Sequence, residues 1–157
     1  NISSPLLFAL LDCVTVLRDV HVMLQREVVE RMTAAPGGRE YGRLTVMLAP
    51  WFEATHLFDV GPGAFSPPPR VWSAVAKLTV RRTPAFELPA AFARTVSAAF
   101  SQRRKTLRNA LSAVVREEAM RAVGIDPQAR AETLSVMQFV ALANALAADG
   151  EPVKAEG

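Results

Sequence analysis

Phe65-Ser66-Pro67-Pro68-Pro69-Arg70-Val71-Trp72-Ser73-Ala74-Val75 decides how the rest of the chain is read. Three consecutive prolines have no backbone N–H to donate and hold φ near about −65°, so they form a stiff, extended loop that presents its flanks in set directions. The flanks are an aromatic ring, Phe65, and a cation, Arg70. From Val71 onward the residues alternate. Val71, Ser73 and Val75 point one way and Trp72, Ala74 and Ala76 the other, which is the period of a strand. The stretch therefore reads as a rigid lip, Pro67, Pro68 and Pro69, anchored by a strand. Phe65 has two readings at this level: a packing residue tucked into the core beside a proline turn, or a ring presented to a ligand.

Working outward, Gly61-Pro62-Gly63 is a turn. Before it, Thr55, Leu57 and Asp59 alternate with Ala54, His56, Phe58 and Val60. Strand, lip, strand predicts a hairpin-like pair at one end of a sheet. Leu44, Met47, Leu48 and Trp51 have helical spacing that Pro50 should end. Residues 18–24 read as a β-branched strand and Gln25 to Thr33 as a helix. In that helix Arg26/Glu30 and Glu27/Arg31 pair on the exposed side, and Val28, Val29 and Met32 face inward. Ser4-Pro5 is a helix start for an apolar, buried helix carrying Leu6, Leu7, Phe8, Leu10 and Leu11.

After Arg82 the character changes. Pro84 and Pro89 punctuate a linker, and no strand pattern follows. Phe92, Val96, Ala99 and Phe100 form one helical stripe, and Leu107, Leu111, Val114 and Val115 another. Asp126-Pro127 reads as an N-cap followed by proline at the first helical position. Ser135 with Gln138 is a capping box opening a last helix striped by Val136, Phe139, Val140, Ala143 and Ala147. The tail from Asp149 is polar and expected to fray. The predicted class is α/β, helix-rich overall: a few strands with flanking helices over residues 1–83, then a small all-α domain over residues 84–157.

Composition excludes several classes. No apolar run reaches the ~18–20 residues of a membrane helix. A single cysteine, Cys13, excludes an intrachain disulfide and a cysteine-cluster metal site and fits a reducing cytoplasm. The first residues lack the basic segment of a signal peptide. They also lack a methionine, so the chain reads as a cut one. With 18 Lys and Arg against 15 Asp and Glu the net charge is only +3, and its distribution matters more than its sum.

Gln102-Arg103-Arg104-Lys105-Thr106-Leu107-Arg108-Asn109 is the densest basic run, four cations with no acid among them. If helical, it places Arg104, Lys105 and Arg108 on one exposed face, which is either a solvated surface or a partner for nucleic-acid phosphates. His21 and His56 have no ligand-spaced companions, so no metal is expected. Gly42, in Tyr41-Gly42-Arg43, is either a site of close backbone approach or the first turn of a helix.

Six stretches, in order, resemble the ribosomal RNA adenine dimethyltransferase family, and in particular its bacterial small-subunit, kasugamycin-sensitivity members. They are Asn1-Ile2-Ser3-Ser4-Pro5-Leu6-Leu7-Phe8; Met23-Leu24-Gln25-Arg26-Glu27-Val28-Val29-Glu30-Arg31; Tyr41-Gly42-Arg43-Leu44-Thr45-Val46; the proline lip; Phe100 through Leu111; and Gly124-Ile125-Asp126-Pro127 through Arg130-Ala131-Glu132 to Leu146. Three places depart from the family's pattern. Trp72 stands where an acidic residue is usual, Gly61-Pro62-Gly63 replaces Val-Pro-Pro, and Ala49-Pro50-Trp51 replaces a helical continuation.

The resemblance implies the second half of a Rossmann-like class I methyltransferase domain followed by a helical C-terminal domain. It implies a monomeric, cytoplasmic enzyme that uses S-adenosylmethionine, and no metal, to dimethylate two adjacent adenosines near the 3′ end of 16S rRNA in a small ribosomal subunit precursor. By the same resemblance Phe65 lies against the target adenine. Pro67, Pro68 and Pro69 line its pocket, and Arg70, Arg103, Arg104, Lys105 and Arg108 hold the rRNA backbone. The family's catalytic Asn-Leu-Pro-Tyr matches just ahead of Asn1, and its cofactor loop lies further upstream. No catalytic or cofactor-binding residue is therefore expected in this chain, which alone should neither bind the cofactor nor methylate. A non-catalytic RNA- or ribosome-binding module of the same fold is the competing reading. The large-subunit macrolide-resistance methylases are a third, which Tyr41-Gly42-Arg43 and the helices from Gly124 to Leu146 disfavour.

Overall fold

The computed structural model describes residues 3–148, with side chains to residue 146. The polar tail from Asp149, and the expectation that it frays, lie outside the described residues, as does the side chain of Ala147. The chain forms two compact units, Asn1–Ala85 and Phe86–Gly157.

The first unit runs α1 (Ser3–Leu11), β1 (Asp19–Gln25), α2 (Arg26–Met32), α3 (Arg43–Leu48), β2 (Phe52–Val60), a 3-10 turn (Pro62–Ala64) and β3 (Ser73–Val80). The strand order is β1-β3-β2, with β3 antiparallel to both neighbours. The central strand alternates as its sequence predicts. Ala74, Ala76 and Leu78 have no exposed surface, and opposite them Leu24, Val22 and Val20 of β1 face the same core. Two alanines in the middle strand leave room for large side chains from the helices. Leu7, Val28, Val29, Met32, Leu44 and Leu48 fill it, with Phe52 of β2. Each such burial contributes about 1.5–3 kcal/mol. The expected ion pairs on the exposed side of α2 both form: Arg26 with Glu30 at 3.6 Å, and Arg31 with Glu27. The Thr45 hydroxyl donates to the Arg31 carbonyl at 2.5 Å and accepts from the Gly42 N–H at 3.1 Å, which ties the start of α3 to the end of α2.

Two local expectations give way. The apolar helix α1 is not buried all round; Leu7 alone is buried and Leu6 is 47% exposed. A three-stranded sheet covered by two other helices offers it only one side. The simple alternation of β2 also fails. A register shift between His56 and Phe58 sets His56 opposite Ala76 and Asp59 opposite Ala74. An extra residue in a bulge reverses every side chain beyond it, so His56 and Asp59 share a side and meet at 2.7 Å.

The second unit runs α4 (Phe92–Phe100), α5 (Leu107–Ala110), α6 (Glu117–Ala122), a 3-10 turn (Ala131–Thr133) and α7 (Val136–Ala148). α7 packs on α4 and α6. Phe92, Val96, Ala99, Leu107, Leu111, Val115, Met120, Phe139, Val140, Leu142 and Ala143 are buried, and the Phe100 and Phe139 rings lie 5.5 Å apart. The capping box is as read: the Ser135 N–H donates to Gln138 Oε1 at 2.8 Å and the Gln138 N–H to Ser135 Oγ at 3.2 Å. No helix follows Asp126-Pro127. The Asp126 carboxylate accepts the Gln128 N–H at 2.9 Å in a local turn. The Pro127 and Ala129 carbonyls accept the Arg108 and Leu107 N–H groups, each at 2.8 Å. Those two amides belong to the first turn of α5, which has no carbonyls of its own to offer them. The segment after Asp126 is spent on capping a neighbour.

Candidate functional site

The lip occupies residues 61–72, between β2 and β3. Gly61 leaves β2 in extended conformation. Its carbonyl accepts the Ala64 N–H at 3.1 Å, and the Pro62 carbonyl accepts the Phe65 N–H at 3.2 Å. This tight turn sets Phe65 at the head of the proline run, with a cis Ser66–Pro67 peptide. Pro67, Pro68, Pro69 and Arg70 are all exposed, and Arg70 makes no ion pair among the described residues. Phe65 is half-buried and stands outside the described core of its unit. Strand pairing ends at Val60 and Ser73, so Phe65 lies past the last rung of the sheet.

A cluster that the sequence did not single out lies at the foot of the lip. The Arg26 N–H donates to the Trp72 carbonyl at 2.9 Å, and the Arg26 guanidinium carbon sits 5.7 Å from the centre of the Trp72 ring. Arg26 also reaches Asp59 at 3.9 Å, and Asp59 binds His56. The signal for this cluster was Trp72 itself, an aromatic residue at a position of unusual type. The bulge that brings Asp59 within reach left no mark in the sequence.

The Tyr41-Gly42-Arg43 alternative resolves as a helix start. Gly42 is extended with nothing within 4 Å of where a Cβ would stand, so no neighbour's approach requires it. Arg43 instead lies over the Phe8 ring, 4.9 Å from its centre. Tyr41 is buried, and desolvation pushes its phenol up to about 12. His21 sits beside Asp19 at 3.5 Å, and among the described residues no three metal-ligating side chains converge. Cys13 is exposed. No helix among the described residues is long and apolar enough to cross a membrane.

The basic run belongs to the second unit and does not form one helical face. α4 ends at Phe100 and α5 begins at Leu107, so Arg103, Arg104 and Lys105 lie in the turn between them. All three are exposed. Arg104 and Lys105 make no ion pair among the described residues. Arg108 differs: its Nε meets Glu117 Oε1 at 2.7 Å, while Glu117 Oε2 holds Arg121 at 3.3 Å. An acid nine positions beyond Arg108 answers a run that contains none.

Residues 1–148 match the family described as ribosomal RNA adenine dimethylase. A ribosomal RNA small subunit methyltransferase A of Thiobacillus denitrificans is 54% identical over 151 residues, covering 94% of this chain and 58% of that protein. The same-named protein of Pseudomonas aeruginosa is 49% identical over 149 residues, covering 94% and 56%. The chain thus spans a little over half the length of the curated relatives it matches. Among solved structures, a dimethyladenosine transferase from Plasmodium falciparum aligns with TM-score 0.72 at 24% identity over 90% of this chain and 61% of that one, a likeness of fold. The 23S rRNA methyltransferase ErmE aligns with TM-score 0.62 at 26% identity over 89% and 60%. With the match running in order from the first residue through the last helix, the chain belongs to the ribosomal RNA adenine dimethylase family.

Proposed function

We propose that the complete protein carrying this chain is an S-adenosylmethionine-dependent methyltransferase that dimethylates adjacent adenosines of 16S rRNA in a small-subunit precursor. In this reading residues 1–83 are the second half of a Rossmann-like catalytic domain, and residues 84–157 are a helical domain that helps hold the rRNA. The observation that carries it is the placement of Phe65, half-buried at the head of a proline lip beyond the last rung of the sheet, in a chain of this family.

β1 runs straight into α2 at Arg26, without the glycine-rich turn that lets a nucleotide approach the backbone. The donor and the catalytic Asn-x-Pro-Tyr are assigned to the part of the protein ahead of this chain. What this chain supplies is a place for the base. Drawing an adenine out of its stack costs a few kcal/mol, and stacking it on an aromatic ring returns about 1–3 kcal/mol. Phe65 is that ring, and Pro67, Pro68 and Pro69 form a wall without amide donors to compete for the base. Arg70, Arg104 and Lys105 make no ion pair among the described residues that would compete for phosphate, Arg103 is exposed beside them, and Arg108 contributes less because Glu117 holds it.

The test is methyl incorporation into a small-subunit precursor particle by the complete protein. Phe65→Ala should lower kcat by roughly 5- to 150-fold, the rate equivalent of the lost stacking, with rRNA affinity within about two-fold. Equal loss of folding and binding would return Phe65 to a packing role. Binding without any methyl incorporation by the unsubstituted protein would make it a non-catalytic RNA-binding module.

A further inference from the structure

Gly61 has no conformational reason to be glycine. Its φ of −74° and ψ of 159° are ordinary extended backbone, open to any residue. What a side chain there would meet is the indole of Trp72. A Cβ would stand 3.4 Å from Cη2, 3.5 Å from Cζ3 and 3.7 Å from Cζ2. Gly61 is the first residue of the lip connection and Trp72 the last, so the ring closes the loop at its base. Trp72 is itself held, by the Arg26 N–H on its carbonyl and the Arg26 guanidinium over its ring. Arg26 is held in turn by Glu30 at 3.6 Å and Asp59 at 3.9 Å.

From this base the placement passes directly to Phe65. The Gly61 and Pro62 carbonyls accept the Ala64 and Phe65 amides, so one tight turn separates the clamp from the ring that meets the base. On the other limb three prolines restrict the return path to Trp72. Trp72 is 48% exposed and stands outside the described core of its unit. Stacking is sensitive to placement: a shift of about 1 Å in a reacting partner can cost roughly 100-fold in rate.

We propose that Trp72 and Gly61 act as one clamp that positions Phe65 for the substrate base, with Trp72 a positioning residue. The role rests on the reading of Phe65 as the adenine platform. The two positions are coupled: glycine at 61 admits the indole, and the indole fixes where the lip leaves the sheet.

The first arm of the test uses the 157-residue chain with Trp51→Phe, which leaves Trp72 as its one indole of the original two. Acrylamide quenching then reports on the clamp. Gly61→Ala adds a Cβ at ordinary contact distance and should leave the quenching constant within about 1.2-fold, while Gly61→Val drives the ring outward and should raise it about two-fold. The second arm uses methyl transfer by the complete protein. Gly61→Val should lower kcat about ten-fold with KM for rRNA within about two-fold, and Gly61→Ala should restore near-full activity. In a Trp72→Ala background, Gly61→Val should add less than about two-fold further loss, because the ring it displaces is gone. An unchanged quenching constant in Gly61→Val, or the same kcat loss with and without Trp72, overturns the clamp. No methyl transfer by the unsubstituted protein overturns the proposed function and the positioning role with it, whereas the quenching arm reads the coupling of the two residues without reference to catalysis.

Discussion

Replacing Arg104 and Lys105 together by glutamine should flatten the salt dependence of rRNA binding by an amount that can be worked from the structure. Each cation that neutralises a phosphate adds about 0.7–0.9 to the slope of log affinity against log salt. Both residues are exposed in the turn between α4 and α5, without an ion pair among the described residues, so the pair should account for about 1.4–1.8 of the slope. Between about 50 and about 200 mM salt that is roughly a ten-fold difference in how far affinity falls. Arg108 is the internal control. Glu117 holds it at 2.7 Å and also binds Arg121, so Arg108→Gln should change the slope by well under one. Glu117→Gln should release Arg108 for a phosphate and steepen the slope by up to about 0.9. The assay is a salt titration of binding to a small-subunit rRNA hairpin, by anisotropy or filter retention. An unchanged slope in the double variant would make the turn a solvated surface. A larger change from Arg108→Gln than from the double variant would refute the assignment of its charge to Glu117.

Other perturbations test the architecture. Phe139 is fully buried, its ring tilted by 34° to that of Phe100 at 5.5 Å; Phe139→Ala should destabilise the second unit by about 3–5 kcal/mol, read from the urea midpoint. Ser135→Ala removes the cap of α7 and should cost about 1 kcal/mol by the same measurement, with Ser135→Gly costing less. Tyr41 is the one tyrosine, so phenolate absorbance reports on it alone. Its phenol, raised from 10.0 to about 12 by burial, stays protonated in the folded chain while the unfolded chain ionises. Its share of stability is therefore intact below about pH 10 and lost as pH rises from about 10 to about 12, at about 1.4 kcal/mol per pH unit. A phenolate transition near 10 in the folded chain would contradict the burial.

Much of the fold was legible because its signals are local. Period-2 spacing in β3, the i,i+4 pairs on α2 and the Ser135–Gln138 box each depend on residues within one turn or one strand of each other. The failures involve partners far apart in sequence. Asp126-Pro127 carries a helix-start signal, but the carbonyls beyond it are taken by α5. The basic run has helical spacing, but the chain turns between Phe100 and Leu107 and places its first three cations in a loop. The alternation of β2 breaks at a bulge, a property of the strand pair rather than of either strand. In the lip, Phe65 and the three prolines were read directly, whereas the cluster of Arg26, Asp59, Gly61 and Trp72 draws on three separate segments and was visible only as an unexplained tryptophan.

The sequence by itself determined the family, the α/β character of the first unit, the helical character of the second and the rigidity of the lip, because proline geometry and side-chain periodicity act on the nearest neighbours along the chain. Tertiary structure alone decided which side chains lie beside one another. It joined Glu117 to Arg108, brought His56 and Asp59 to one side of the sheet and set the Trp72 indole against Gly61. Pairing, register and packing depend on distances between segments, and a linear order of residues does not contain those distances.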